Sequence, residues 1–312
     1  MKKNSTLLKL NKFTKNSFLS YATVIIFYAV ISILMSNGGI SSSFKGQLIP
    51  ICAYAVMAVS LNLTVGILGD LSLGHAGFMS VGAFAGVIAS QSMHFNGVES
   101  DALRMLVAIV VGIVVAAVFG IIIGVPVLRL KGDYLAIVTL AFGEIVRTIF
   151  KNLDVFGKAM GLRTNTIKYD TRNDTSLYIV AFVVVLIVLF MINNLIRSKH
   201  GRAITAIRDN EIAAKAMGIN VTFYKLFVFV FSAFFAGVAG VIYAHYITPV
   251  QYSVFSYNYS IEILVMVVLG GMASVTIVKD ADGTHVSEYD LQPTVNVILR
   301  NENTGWYTYR PM

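Results

Sequence analysis

The chain has 312 residues, of which 56% are hydrophobic and only 13% charged. A soluble domain carries about 45–50% apolar and about 25% charged residues. A single soluble core cannot absorb that surplus, so the composition argues against an ordinary water-soluble fold and points to lipid as the solvent. The formal net charge of +8 is concentrated in the first 17 residues, with five lysines and no acid, and around Arg197 to Arg208. That placement fits the positive-inside rule better than a nucleic-acid surface. The single cysteine, Cys52, excludes an intrachain disulfide and a cysteine-based metal site.

In chain order, the basic segment 1–17 precedes an apolar run with no convincing small-residue cleavage site, so it reads as a cytoplasmic N-terminus leading into a retained helix. A bilayer-crossing helix needs about 20 mostly apolar residues. Runs of this kind cover 18–36, 47–67, 71–90, 104–128, 134–151, 176–196, 223–245 and 259–277. The expected fold is therefore all-α, a polytopic transmembrane bundle of about eight spans over 18–277. Counting from a cytoplasmic N-terminus puts Arg129 and Lys131 inside, together with the basic loop 197–222. The outer loops 37–46 and 246–258 carry one lysine between them, Lys45. The segment 152–175 departs from the rule, because Lys158, Arg163, Lys168 and Arg172 fall outside, accompanied by Asp154, Asp170 and Asp174. Gly82 with Gly86, and Gly120 with Gly124, have the GxxxG spacing that lets membrane helices approach closely, and a packing role is the better reading for them.

Three segments interrupt the apolar pattern. Gly66-Ile-Leu-Gly-Asp-Leu-Ser-Leu-Gly-His-Ala-Gly-Phe78 places four glycines, an aspartate and a histidine between two spans. Irregular backbone at membrane depth survives only where protein or a watery cavity covers it, and broken helices of this sort often form transport sites. Asp70, Ser72, Gly74 and His75 are therefore candidates for a translocation pathway. Asp70 reads equally well as an N-cap of the next helix, and His75 is better read as packed and hydrogen-bonded. The stretch from Leu128 to Arg147 adds Asp133 and Thr139 to the candidates. Within it, Glu144 and Arg147 lie three apart on one helical face. An ion pair between them is favoured over substrate contact, because each neutralises the other's cost in lipid. The third segment, 199–220, is polar and helix-prone, with Ala203, Ile204, Ile207, Ile212, Ala214 and Met217 recurring irregularly. One or two short amphipathic helices are expected there, ended by Gly218. They would lie on anionic lipid or dock in a partner's groove. There is no ATP-binding fingerprint and no metal-binding histidine pair, so no catalytic residue is assigned.

Glu211-Ile-Ala-Ala-Lys-Ala-Met-Gly218 resembles the EAA loop of ABC importer permeases. Leu71-Ser-Leu-Gly-His-Ala-Gly-Phe78, Gly132-Asp-Tyr-Leu-Ala-Ile-Val-Thr139 with Gly143-Glu-Ile-Val-Arg147, and Val267-Val-Leu-Gly-Gly-Met272 resemble, in the same order, the LivM-type permease of branched-chain amino acid ABC transporters. The resemblance covers about residues 20–276. It implies a transport subunit without its own ATPase site, resident in a bacterial inner membrane. The implied partners are a LivH-like second permease, two ATP-binding subunits that hold ATP and magnesium, and an extracytoplasmic substrate-binding protein. By motif, the cytoplasmic coupling helix would use Arg208, Glu211, Ala213, Ala214 and Gly218. Relatives of this permease type handle urea, short amides and, more distantly, sugars. An ion-gradient transporter is a rival, with Glu144, Arg147 and Glu262 as its relay, though it would leave the EAA-like loop without a purpose. From residue 278 to 312 the chain departs from the family with a polar tail containing Trp306. No part of that tail could cross a bilayer. Truncation, frameshift, chimeric sequence and a native soluble tail all remain open, and some short strand or disorder is expected.

Overall fold

A computed structural model of the chain describes residues 12–36, 42–97, 100–130, 132–163, 176–270, 299–300 and 307–308. The lysines before Lys12, the second half of the 152–175 segment and most of the polar tail, Trp306 included, lie outside the described residues. The chain divides into two compact units, residues 1–272 and 273–312. The described residues of the second unit form a two-stranded antiparallel pair, β1 (Leu299–Arg300) with β2 (Tyr307–Thr308).

The first unit is helical. Its helices are α1 (Lys12–Ser36), α2 (Ser42–Asn62), α3 (His75–Phe95), α4 (Asp101–Val127), α5 (Asp133–Asn152), α6 (Ser176–Arg197), α7 (Lys199–Asp209), α8 (Glu211–Ala216), α9 (Val221–Tyr246) and α10 (Tyr257–Leu269). A π-turn over Leu63–Leu68 prolongs α2. Among the described residues, five stretches are long and apolar enough to cross a membrane: Phe44–Leu68, His75–Phe95, Asp101–Val127, Leu177–Arg197 and Val221–Tyr246. The other three expected spans fall on helices of a different character. Val24–Leu34 of α1 and Tyr257–Leu269 are shorter apolar helices. The 20-residue α5 carries Asp133, Glu144, Arg147 and Lys151.

The centre of the bundle is the trio α3, α4 and α9. Its geometry follows from small residues at a spacing of four. On α4, Ala108, Gly112, Ala116, Gly120 and Gly124 are buried along one side. Leu106, Val110, Val114, Val118 and Ile122 are exposed along the other. One face therefore meets helices and the other is left apolar and exposed, as expected of a membrane-length helix held by close backbone approach. A methyl group added at Gly82 would collide with the backbone of Gly237, and one at Gly240 would collide with the carbonyl oxygen of Met79. The two GxxxG pairs are thus packing devices, joined by Gly112, Gly237 and Gly240. The resulting burial is uneven: 72% of the apolar window of α9 is inside the protein, against 22% for α4. Helix α9 is the most enclosed of them, packed on α2, α3 and α4. A second, smaller apolar core lies apart from the main one. It joins Leu63, Ile67 and Leu68 of the π-turn to Ile204 and Ile207 of α7, Ala214 of α8, and Val221 and Val228 of α9.

Candidate functional site

Between the π-turn and α3 the chain runs without helix for six residues, 69–74. The break begins at Gly69, whose φ of 84° lies in the left-handed region that favours glycine. Its N–H and that of Asp70 both reach back to the carbonyl oxygen of Thr64. Backbone groups left unpaired here are met by side chains from other elements. Leu73 N–H donates to Thr139 Oγ1 of α5 at 3.0 Å, and Ala76 N–H donates to Ser260 Oγ of α10 at 3.0 Å. Arg208 of α7 donates through Nη1 to Gly66 O at 3.1 Å. This is how irregular backbone inside a membrane protein is tolerated: polar groups freed by the break take partners from other parts of the protein.

Asp70 does not cap α3. That helix begins five residues later at His75, with Gly74 in the cap position. The carboxylate instead meets Lys225 Nζ at 3.1 Å, and the same ammonium lies 3.4 Å from Glu211 Oε2. Lys215 Nζ also reaches Glu211, at 2.8 Å. One lysine on α9 thereby links the broken segment to the first residue of α8. A partly buried pair of this kind is screened less by salt than an exposed one.

Helices α7 and α8 form a helix–turn–helix between two membrane-length helices. Ser198 Oγ accepts from Gly201 N–H and Asn210 Oδ1 accepts from Ala213 N–H, so each helix starts on a side-chain cap. Gly218 ends α8 with a φ of 81°. The N–H of Ile219 bonds to Ala214 O and that of Gly218 to Lys215 O, a glycine-stopped helix end. Ala214 is buried against the second core, whereas Ala213, Ile212 and Met217 face outward.

The remaining candidates divide. His75 is buried, with Nε2 2.7 Å from Ser232 Oγ and 3.2 Å from Ser60 Oγ. Ser60 donates to Ser232 O and Ser232 to Ser60 O, each at 2.7 Å. The cluster fastens α2, α3 and α9 together. Thr139 is buried and Gly74 packs against its backbone. The hydroxyl of Ser72 is also buried. Glu144 and Arg147 form an ion pair at 2.8 Å, and Glu144 also accepts from Tyr257 N–H at 3.2 Å, placing its charge at the positive N-terminus of α10. Asp133 stands apart, exposed in the first turn of α5. Among the described residues no group of three or more His, Cys, Asp or Glu side chains is placed to hold a metal ion. The sequence reading missed Lys225, Ser60, Ser232 and Ser260. Lys225 did leave a signal, as the one charged side chain in the expected span 223–245.

Comparison with known proteins fits this arrangement. High-affinity branched-chain amino acid transport system permease protein LivM of Salmonella typhimurium is 36% identical over 249 residues, covering 71% of this chain and 57% of that protein. The chain thus spans little more than half the length of that relative. Probable branched-chain amino acid transport permease protein LivM of Methanocaldococcus jannaschii is 28% identical, covering 70% of this chain and 72% of that protein. Ribose import permease protein RbsC of Escherichia coli is 27% identical, covering 81% of this chain and 76% of that protein. No solved structure matches the chain. The family described as branched-chain amino acid transport system / permease component matches residues 43–279. With five membrane-length apolar helices and a family match over most of its length, this chain is a multi-pass membrane protein and belongs to that permease family.

Proposed function

We propose that the chain is the membrane-spanning permease subunit of an ATP-driven importer of branched-chain amino acids in a bacterial inner membrane. In this reading α1, α5 and α10 join the five long apolar helices as an eight-span bundle with a cytoplasmic N-terminus. A second, LivH-like permease completes the pathway, and two separate subunits bind and hydrolyse ATP. An extracytoplasmic binding protein delivers the substrate.

The observation that carries the reading is the α7–α8 helix–turn–helix. It is capped at both starts, stopped by Gly218, and bears the Glu211 to Gly218 motif between two membrane-length helices. On α8 and at its C-terminal cap, Ile212 and Met217 are each 82% exposed. Apolar knobs on a short helix outside the apolar spans suit a groove on a partner protein. ATP-driven closure of that partner would push α8 and move the bundle between outward- and inward-open states. Arg208, Glu211, Ala213, Ala214 and Gly218 would transmit the push.

The test is uptake of labelled leucine into liposomes holding the chain with a LivH-like permease, ATPase subunits and a binding protein. ATP-dependent, vanadate-sensitive uptake is expected. Uptake that follows an imposed ion gradient without ATP overturns the reading. ATP-driven uptake of ribose in place of leucine would keep the transporter class and replace the substrate. Gly218→Val, which forces a left-handed backbone on a β-branched residue at a cost of about 1–2 kcal/mol, is expected to lower uptake far more than ATP hydrolysis.

A further inference from the structure

The second apolar core and the charges around it suggest where the push on α8 goes. The π-turn packs on α7, α8 and the start of α9 through a core of its own, separate from the main one. Polar contacts reinforce the same junction. Arg208 donates to Gly66 O, and its methylenes lie so close to Gly69 that a Cβ there would come within 2.9 Å of Cγ. Lys225 stands between Asp70 on the broken segment and Glu211 on α8. Its side chain is 12% exposed, against 20% for Asp70 and 25% for Glu211. The main bundle offers no comparable freedom, because its glycines bring backbone against backbone and a packed core has discrete arrangements instead of a continuous range. Displacement of α8 is therefore taken up most readily by the segment fastened to it, which follows a π-turn, begins at a left-handed glycine and runs six residues without helix.

We infer that Lys225 is a positioning residue that latches the coupling helix to the broken segment 69–74 through Asp70 and Glu211, so that the two move as one element. The inference rests on the importer reading above and names the route by which ATP hydrolysis would open the pathway. It makes Lys225 part of the coupling machinery through its contacts with Asp70 and Glu211.

The experiment compares Lys225→Met, Lys225→Arg, Asp70→Asn and the Asp70→Asn/Lys225→Met double variant in the reconstituted complex, reading leucine imported per ATP hydrolysed at equal amounts of assembled protein. Lys225→Met is expected to lower that ratio by at least about fivefold, the lower bound typical of coupling between sites. Lys225→Arg, which keeps the charge, is expected to remain within about twofold of the parent. The double variant is expected to be no worse than the more affected single variant, because residues acting as one unit are not additive. An unchanged ratio in Lys225→Met, or independent multiplication of the two single effects, overturns the proposal. If Lys225→Met fails to assemble, Asp70→Asn alone decides: Glu211 still partners the lysine, and an unchanged ratio overturns the proposal. Loss of ATP-driven uptake in the unmodified complex would instead count against the importer reading.

Discussion

Between Gly82 and Gly237 the bundle lets backbone touch backbone, whereas between Gly66 and Arg208 a long side chain is inserted where backbone would otherwise be bare. Both arrangements satisfy the demand that no polar group face hydrocarbon alone. The first does so by regular helix, with every N–H bonded internally and small residues removing the space between neighbours. The second does so with Thr139, Ser260 and Arg208, each brought from a different helix. The difference teaches where motion is cheap. A glycine contact has nothing to rearrange, while a side-chain contact can re-form at a new angle.

The largest effect is expected in the bundle. Gly240→Leu drives a side chain into the carbonyl of Met79, and overpacking typically costs about 1–3 kcal/mol, with a clash against backbone at the top of that range. The purified chain should lose its folded elution profile in detergent at markedly lower temperature, and an unchanged thermal midpoint would break the contrast. His75→Ala comes next. It removes a buried ring that joins Ser60 and Ser232 and should cost about 2 kcal/mol by cavity and lost hydrogen bonds, read as a smaller drop in the same midpoint. On the other side of the comparison, Gly69→Ala meets both a left-handed backbone and Arg208. A penalty of about 1–2 kcal/mol is expected to appear more in transport than in the thermal midpoint. Smallest is Lys215→Ala. Its ammonium pairs with Glu211 on a mostly exposed side chain, and such pairs contribute about 0.5 kcal/mol or less, so stability should barely move.

Much of this contrast could be read from the sequence, because it is written in residue types with strong physical meaning. The spacing of four between Gly82 and Gly86 and between Gly120 and Gly124 implied close helix contact, and the partners Gly112, Gly237 and Gly240 needed coordinates only because they lie on other helices. The glycines between Gly66 and Gly77 marked the break, and the spacing of Glu144 and Arg147 implied their pairing. Three kinds of information were out of reach. Asp70 read as well as a cap as a site residue, because helix starts are uncertain by a few residues and α3 begins at His75, not Leu71. The Lys225 contact spans 155 positions in sequence, and no local pattern encodes such a distance. Asp133 shared a Gly-Asp pair with Asp70, yet one aspartate is half-buried beside a lysine and the other is exposed at a helix start. Identical dipeptides do not imply identical surroundings.

The π-turn has a consequence for how such a permease can change over generations. A turn bonded five residues back holds one more residue than a regular turn of the same helix. Deleting a single codon between Leu63 and Leu68 would remove that extra residue and let α2 run on as regular helix, shortening by one residue the path that brings Asp70 to Lys225. A heritable difference of one amino acid in length, at one address, would thus separate a regular helix from one that ends in a wider turn.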